Sequence, residues 1–219
     1  MTGILIAGTS SDAGKSLVVT GLCRAARRRG IDVVPFKAQN MSNNSMVCAD
    51  GAEIGRAQYL QAIAAGKTPT SAMNPVLLKP GSDRRSDVVL RGEPAGALEA
   101  GEYATGRRLL AEAARQAYRE LAAAHELVIC EGAGSPAELN LRADDYTNMG
   151  LARAFDLPVV TMDTGPFDLM ECCSEARAVA PNIAVTAFGR APLGIALLER
   201  TMGVAVTPLP TGEVYTALD

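Results

Sequence analysis

Short apolar runs alternate with longer stretches of helical periodicity along most of the chain. The first run, Ile4 to Ala7, ends at Gly8, and Leu17 to Arg29 follows as a helical stretch closed by Arg27-Arg28-Arg29-Gly30. Arginines in a last turn before a glycine read as a helix end interacting with its own dipole, in preference to a phosphate-binding patch. Ile31 to Phe36 reads as a second buried strand, and Glu53 to Ala65 as a helix with Ile54, Ala57, Leu60 and Ala64 on one face. Pro69 to Pro80 is loop-like, Asp87 to Arg91 a short strand, and Glu102 to Ala124 a long alanine-rich helix. Leu127 to Cys130 is expected as a buried strand, Asp145 to Phe155 as a helix, and Leu157 to Met162 as a strand. Beyond Asp163, the segments Glu171 to Ala180, Ile183 to Phe188, Leu193 to Met202 and Val204 to Thr207 read as helix, strand, helix and strand. Such alternation predicts an α/β fold of three layers, a mostly parallel central sheet with helices on both faces. No repeat, low-complexity tract or linker divides the 219 residues, so one domain is expected over 1–219.

Polar residues at the strand ends carry the chemistry. The stretch Gly8-Thr-Ser-Ser-Asp-Ala-Gly-Lys-Ser16 lies between the first strand and the first helix, the setting of a phosphate-binding P-loop. Its spacing has five residues between Gly8 and Gly14, one more than the usual pattern. Thr9, Ser10, Ser11, Asp12, Ala13 and Gly14 would cradle phosphates with backbone N–H groups. Lys15 would neutralise the β- and γ-phosphates, and the Ser16 hydroxyl would bind Mg²⁺. Lys37 follows the second strand at the end where ligands of parallel sheets sit. After it comes Ala38-Gln-Asn-Met-Ser-Asn-Asn-Ser45, a polar block suited to a polar substrate. Glu131 ends the Leu127 strand and opens Glu131-Gly-Ala-Gly-Ser135, as a carboxylate for Mg²⁺ or its water would. His125 is the only histidine and falls at a helix end, where a surface role is the simpler reading than a catalytic one.

Composition narrows the class without changing this picture. A hydrophobic content of 48% with 21% charged residues fits a globular chain. The net charge of −3, with no basic stripe, gives no reason to expect nucleic acid as a partner. No run of about 18 apolar residues suggests a membrane span, and the first residues open into a strand without a secretory leader. Five cysteines, two of them adjacent at Cys172 and Cys173, lack metal spacing and make a poor disulfide framework, so a cytoplasmic setting is expected.

Several blocks together resemble the amino-terminal synthetase domain of cobyric acid synthases, within the dethiobiotin-synthetase-like group of P-loop proteins. The carrying blocks are the phosphate loop, Pro35-Phe-Lys-Ala-Gln-Asn-Met-Ser-Asn-Asn-Ser-Met46, Glu53-Ile-Gly-Arg-Ala-Gln58, Met73-Asn-Pro-Val-Leu-Leu-Lys-Pro80, Glu131-Gly-Ala-Gly-Ser-Pro-Ala-Glu-Leu-Asn-Leu141 and Asn148-Met-Gly-Leu-Ala152. They cover roughly residues 3–162; beyond that the match is loose. The resemblance implies an ATP-dependent amidation of peripheral carboxylates on adenosylcobyrinic acid a,c-diamide through an acyl phosphate, in cobalamin biosynthesis. It would make Lys15, Lys37 and Glu131 catalytic, with Thr9 to Ser16 around ATP. Ser16 and Glu131 would hold Mg²⁺, with Glu53 or Asp12 as helpers. Gln39, Asn40, Ser42, Asn43 and Asn44, with Lys37, would meet the corrinoid. Ser10 stands where ParA- and MinD-type ATPases carry a signature lysine, which favours the ligase-like branch.

Two departures qualify that expectation. Relatives of this kind carry a glutaminase with a Cys-His-Glu triad, and the present sequence offers no cysteine in a nucleophile turn and no histidine besides His125. Ammonia is therefore expected from solution or from a separate glutaminase chain; a homodimer stays open. In place of the family's aspartate-rich and asparagine-lysine segments the chain reads Met162-Asp-Thr-Gly-Pro-Phe-Asp-Leu169, with Asp163 near one aspartate. A dethiobiotin-synthetase-like ligase and a diverged nucleotide-binding protein without turnover are the alternatives.

Overall fold

The computed structural model describes residues 3–8, 14–81, 85–99, 103–134, 145–162, 186–188 and 207–209. Its centre is a six-stranded sheet built from β1 (Gly3–Gly8), β2 (Val33–Phe36), β9 (Leu127–Glu131), β10 (Val159–Met162), β11 (Thr186–Phe188) and β12 (Thr207–Leu209). The strand order is β12-β11-β10-β1-β9-β2. All pairs are parallel except β10 with β11, so the mostly parallel α/β sheet expected from the alternation is present.

Two-residue periodicity sorts the sheet's side chains between two cores. Ile4, Ile6, Val33, Leu127 and Ile129 pack with Val19, Leu22, Cys23 and Ala26 of helix α1 (Lys15–Arg28). Leu5, Ala7, Val34, Phe36, Val128 and Cys130 face the other way. There they meet Leu110, Ala114, Tyr118 and Leu121 of α3 (Tyr103–Ala124) and Leu151 and Ala152 of α4 (Met149–Phe155). Helices therefore cover both faces. Helix α2 (Arg56–Ala65) contributes Ala65 to the first core and Ala62 to the second, as a helix at the β2 edge would.

Smaller strands fill the stretch between β2 and α3. β3 (Gln39–Met41), β6 (Val76–Pro80), β7 (Arg85–Leu90) and β8 (Glu93–Glu99) form a second sheet in the order β3-β6-β7-β8, while β4 (Ser45–Val47) and β5 (Glu53–Gly55) form a hairpin. Three expectations change here. Glu53 to Gly55 is strand, because it pairs with Ser45 to Val47, and the helix begins only at Arg56. The loop expected over Pro69 to Pro80 contains a 3₁₀ turn at Ser71–Met73 and the buried strand β6. The buried side of α2 is Gln58, Gln61, Ala62 and Ala65, whereas Leu60 on the expected apolar face is exposed. The helices expected over Glu171 to Ala180 and Leu193 to Met202 lie outside the described residues.

At the sheet's opposite end, Asp32 accepts hydrogen bonds from Lys67 and the ring of His125, and its backbone carbonyl takes the N–H groups of Glu126 and Leu127. His125 thus serves at a helix end, as its position suggested. The Lys67 hydrogen bond, then that of His125, holds the Asp32 carboxyl below the usual carboxylate range. A depressed folded-state value stabilises above the unfolded value of about 3.9 and is lost as pH falls through the folded value. The cluster is open to solvent on the Asp32 side and only partly buried, so Asp32→Asn should cost no more than about 1 kcal/mol at neutral pH. Urea unfolding at pH 7 and at pH 3 should show that difference shrinking in acid; a constant difference would rule out the ionic origin.

In the α3 core, Tyr118 packs edge-on to Phe36 at 5.5 Å between ring centroids and against Phe155 at 4.2 Å. Its buried hydroxyl has no hydrogen-bond partner among the described residues. Tyr118→Ala should therefore cost about 3–5 kcal/mol. Tyr118→Phe, which removes only an unpaired hydroxyl, should be neutral or stabilising by about 1 kcal/mol in denaturant unfolding.

Candidate nucleotide and metal site

Strand parity and register bring the site together. Glu131 follows Leu127 and Ile129 on the α1 side of β9 and pairs in register with Ile6 of β1. Phe36 pairs with Cys130, so the next residue, Lys37, comes level with Glu131 at the carboxyl ends of both strands. Ser16 lies in the first turn of α1, which packs on that same side.

The three side chains meet at one buried carboxylate. Glu131 is 2% exposed. Its Oε1 accepts from Ser16 Oγ at 2.8 Å and from Lys37 Nζ at 2.6 Å. Its Oε2 accepts from Gln61 Nε2 at 2.6 Å and from Gln58 Nε2 at 3.2 Å. A carboxylate withdrawn from water needs such compensation, and four donors with one formal cation supply it. The two glutamines were not expected at the site, although Gln58 closes one of the blocks that carry the family resemblance. Their signal was two amides at i and i+3, whose buried setting depends on a partner more than 60 residues away.

The start of α1 is built for an anion. Gly14 adopts a left-handed φ of 81°, no side chain caps the helix, and its first turn carries no acidic residue. Lys15 at that end opposes the helix dipole, an arrangement that an anionic ligand makes favourable. Lys15 is itself buried. Thr9, Ser10, Ser11, Asp12 and Ala13 lie outside the described residues.

Beyond β9 the backbone must pass close to its neighbours. Gly132 donates its N–H to Ile6 O at 2.8 Å, and a Cβ there would strike the Asn148 side-chain oxygen. Asn148 pairs with the Ala133 backbone through both ends of its amide, at 3.1 and 2.7 Å. Asp145 in turn accepts the N–H groups of Thr147, Asn148 and Gly150.

The polar block after Lys37 divides. Asn40 Nδ2 donates to Gln58 Oε1 at 3.2 Å, linking β3 to the Glu131 group. The Gln39 side chain accepts from the Tyr146 hydroxyl. Asn43 Nδ2 donates to the Pro80 carbonyl at 3.4 Å, and the Ser42 hydroxyl accepts the Asn44 N–H. Ser42, Asn43 and Asn44 therefore sit on the partly open rim of the smaller sheet. Buried Asn74 ties the parts by donating to Lys37 O and Val76 O while accepting the Gly55 N–H. Glu53 does not join Glu131; it pairs with Lys79 and accepts from Ser45. Burial works to raise its carboxyl, but the Lys79 and Ser45 hydrogen bonds outweigh that and leave it below the usual range.

Hard oxygen donors at Ser16 and Glu131 fit a magnesium ion that completes its shell with phosphate oxygens and water. Among the described residues no group of three or more His, Cys, Asp or Glu gathers, so they hold no all-protein metal cage. Among the described residues, the cysteines nearest this site are core groups. Burial, and secondarily the nearby Glu131 charge, pushes the Cys23 thiol up to about 12. Burial likewise raises Cys130, keeping both as neutral core groups.

A strand, a glycine-opened helix start carrying lysine and serine, and a strand-end carboxylate define a P-loop nucleotide-binding domain. The chain belongs to the CobQ/CobB/MinD/ParA nucleotide binding domain family, which it matches over residues 4–209. A cobyric acid synthase of Cutibacterium acnes is 84% identical over 160 residues, which is 73% of this chain and 33% of that protein. Cobyric acid synthases of Mycolicibacterium gilvum and Mycobacterium tuberculosis are 63% and 62% identical over 166 residues, 74% of this chain and 34% of each relative. The resemblance carried by the motif blocks is thus borne out. The chain spans about a third of the length of the curated relatives it matches. No helix among the described residues is long and apolar enough to cross a membrane.

Removing the carboxylate alone would leave the Lys37 ammonium nearly buried without its partner. Glu131→Leu should then cost about 3–5 kcal/mol, and adding Lys37→Met should recover much of it. Urea unfolding of wild type, single and double variants checks this; a double variant no more stable than the single one would refute the pairing energy.

Proposed function

We propose that this chain is the ATP-dependent synthetase portion of a corrinoid amidating ligase, converting peripheral carboxylates of adenosylcobyrinic acid a,c-diamide to amides. The observation that carries the reading is the convergence of Ser16 and Lys37 on buried Glu131 beside the lysine-bearing start of α1. The identity to cobyric acid synthases supports the choice of substrate class.

The reaction has two bond exchanges. A substrate carboxylate oxygen attacks the γ-phosphorus of ATP as the bond to the bridging β–γ oxygen breaks, giving an acyl phosphate and ADP. Ammonia then attacks the acyl carbon, phosphate departs with the carbon–oxygen bonding pair, and the nitrogen loses a proton. Neither exchange needs a protein nucleophile; in-line placement and charge neutralisation dominate.

Lys15 and the α1 start hold the phosphates and offset their charge. Ser16 and Glu131 would hold Mg²⁺, which would supply charge withdrawal at the transferring phosphoryl. Lys37 stands between the metal side and the polar block. There its ammonium steers the attacking carboxylate or offsets charge on the phosphoryl group. Gln39, Asn40, Ser42, Asn43 and Asn44 form the substrate side, with the exposed rim residues meeting the corrinoid's amide and carboxylate edge. Ammonia comes from solution or from a glutaminase.

Incubation with Mg-ATP, ammonium and cobyrinic acid a,c-diamide should release ADP only when the corrinoid is present. The corrinoid should gain the mass signature of a carboxylate turned carboxamide. ADP release dependent on diaminopelargonic acid and bicarbonate would redirect the reading to dethiobiotin chemistry, and nucleotide binding without either would leave a binder. Lys15→Ala should weaken ATP about tenfold or more. Lys37→Ala should spare ATP binding and slow turnover on the order of a hundredfold; an unchanged rate would remove Lys37 from the mechanism.

A further inference from the structure

We infer that Gln58 and Gln61 are positioning residues that hold Glu131 by one oxygen and so present the other to the metal and to Lys37. This rests on the reading of Ser16 and Glu131 as the magnesium side of a nucleotide site, and extends it to a helix outside the phosphate loop.

The donors around Glu131 are sorted by kind. Both amides sit on Oε2, whereas the hydroxyl and the ammonium sit on Oε1. Primary amides cannot ionise and are held here on a rigid helix. A serine hydroxyl and a lysine ammonium can turn toward an arriving ligand. A carboxylate gripped on both oxygens by mobile groups would rotate as they left. Anchored on Oε2, it keeps Oε1 facing the Ser16 side.

Burial argues that the glutamines are there for this purpose. Both are fully buried on the inner face of α2, and the polar group that both amides meet there is Glu131 Oε2. Gln58 is fixed at both ends, donating to Glu131 and accepting from Asn40 Nδ2. Gly55 makes this approach possible, since a Cβ there would collide with the Asn40 and Gln58 amides. The carbonyl of Gln61 is buried and has no hydrogen-bond partner among the described residues. An unpaired buried acceptor is costly by itself, and it suits a donor that the ligand brings, such as water on a magnesium ion.

The test separates positioning from packing. Binding of a fluorescent ATP analogue is titrated with Mg²⁺ for wild type, Gln61→Leu and Gln58→Leu, each checked for folding by circular dichroism. In wild type, Mg²⁺ should strengthen binding. In Gln61→Leu the half-saturating Mg²⁺ concentration should rise about tenfold, the loss expected for one hydrogen bond to a charged group. Affinity without metal should stay within about twofold, and the plateau at saturating Mg²⁺ should be kept. Gln58→Leu should shift the same midpoint in the same direction, and it decides the matter if Gln61→Leu does not fold. An unmoved Mg²⁺ midpoint in the folded variants would overturn the inference and leave the nucleotide-site reading standing. Equal losses with and without metal would also overturn it, because they would mark the amides as packing groups. A wild-type chain with no Mg²⁺-dependent binding would overturn the site reading itself, before any variant is compared.

Discussion

A buried carboxylate is the constraint that organises this molecule. Moving an isolated carboxylate out of water costs far more than a domain's net stability, so it must be hydrogen-bonded from several sides or give up its charge. Glu131 is met by α1 through Ser16, by the end of β2 through Lys37, and by α2 through Gln58 and Gln61. Three separate elements are thereby fixed relative to one strand end. The apolar cores could tolerate small shifts of any of them. The donor geometry around Glu131 tolerates much less, and that is how a site held to hydrogen-bond precision is built on ordinary apolar packing.

The order in which the polar groups extend from that carboxylate suits the chemistry. On the Oε1 side lie the hydroxyl, the ammonium and the start of α1, all able to face phosphate. On the Oε2 side lie the amides, then Asn40, then the smaller sheet that displays the asparagine-rich rim. Asn74 locks the backbone of Lys37 to both β6 and the β5–α2 junction. The two sides are thus neighbouring parts of one hydrogen-bonded layer at the carboxyl ends of the strands, where α/β sheets bind their ligands.

Much of this was legible from local pattern. β1, α1 and β9 each carry an uninterrupted apolar or amphipathic signal with a glycine or carboxylate at the functional end, where Lys15, Ser16 and Glu131 stand, and Lys37 directly follows the apolar run of β2. The smaller strands were not legible. β3 and β4 are three residues each, drawn from an asparagine- and serine-rich stretch whose local preference is turn, and they are strands because β6 and β5 offer backbone partners. β6 was hidden by the prolines at either end, Pro75 and Pro80. For α2 the periodicity argument pointed to the wrong face, since it counts glutamine as a surface residue.

That error shows where the functional information lies. A hydrophobic pattern locates a helix's inner face only when the core it meets is apolar along its whole length. α2 meets an apolar core at Ala62 and Ala65 but a carboxylate at Gln58 and Gln61, so its inner face changes character within two turns. Leu60 and Ile63 are left outside because those two turns of inner face belong to the glutamines. Placing a leucine and an isoleucine in solvent and two amides inside is unfavourable for stability taken alone. The Glu131 carboxylate reverses that balance, and a carboxylate kept charged in the core is itself unfavourable unless a cationic ligand or a positively charged neighbour requires it. Each step outward from Glu131 is therefore explained by the one before it, and the first has its counter-charge in the Lys37 ammonium beside it.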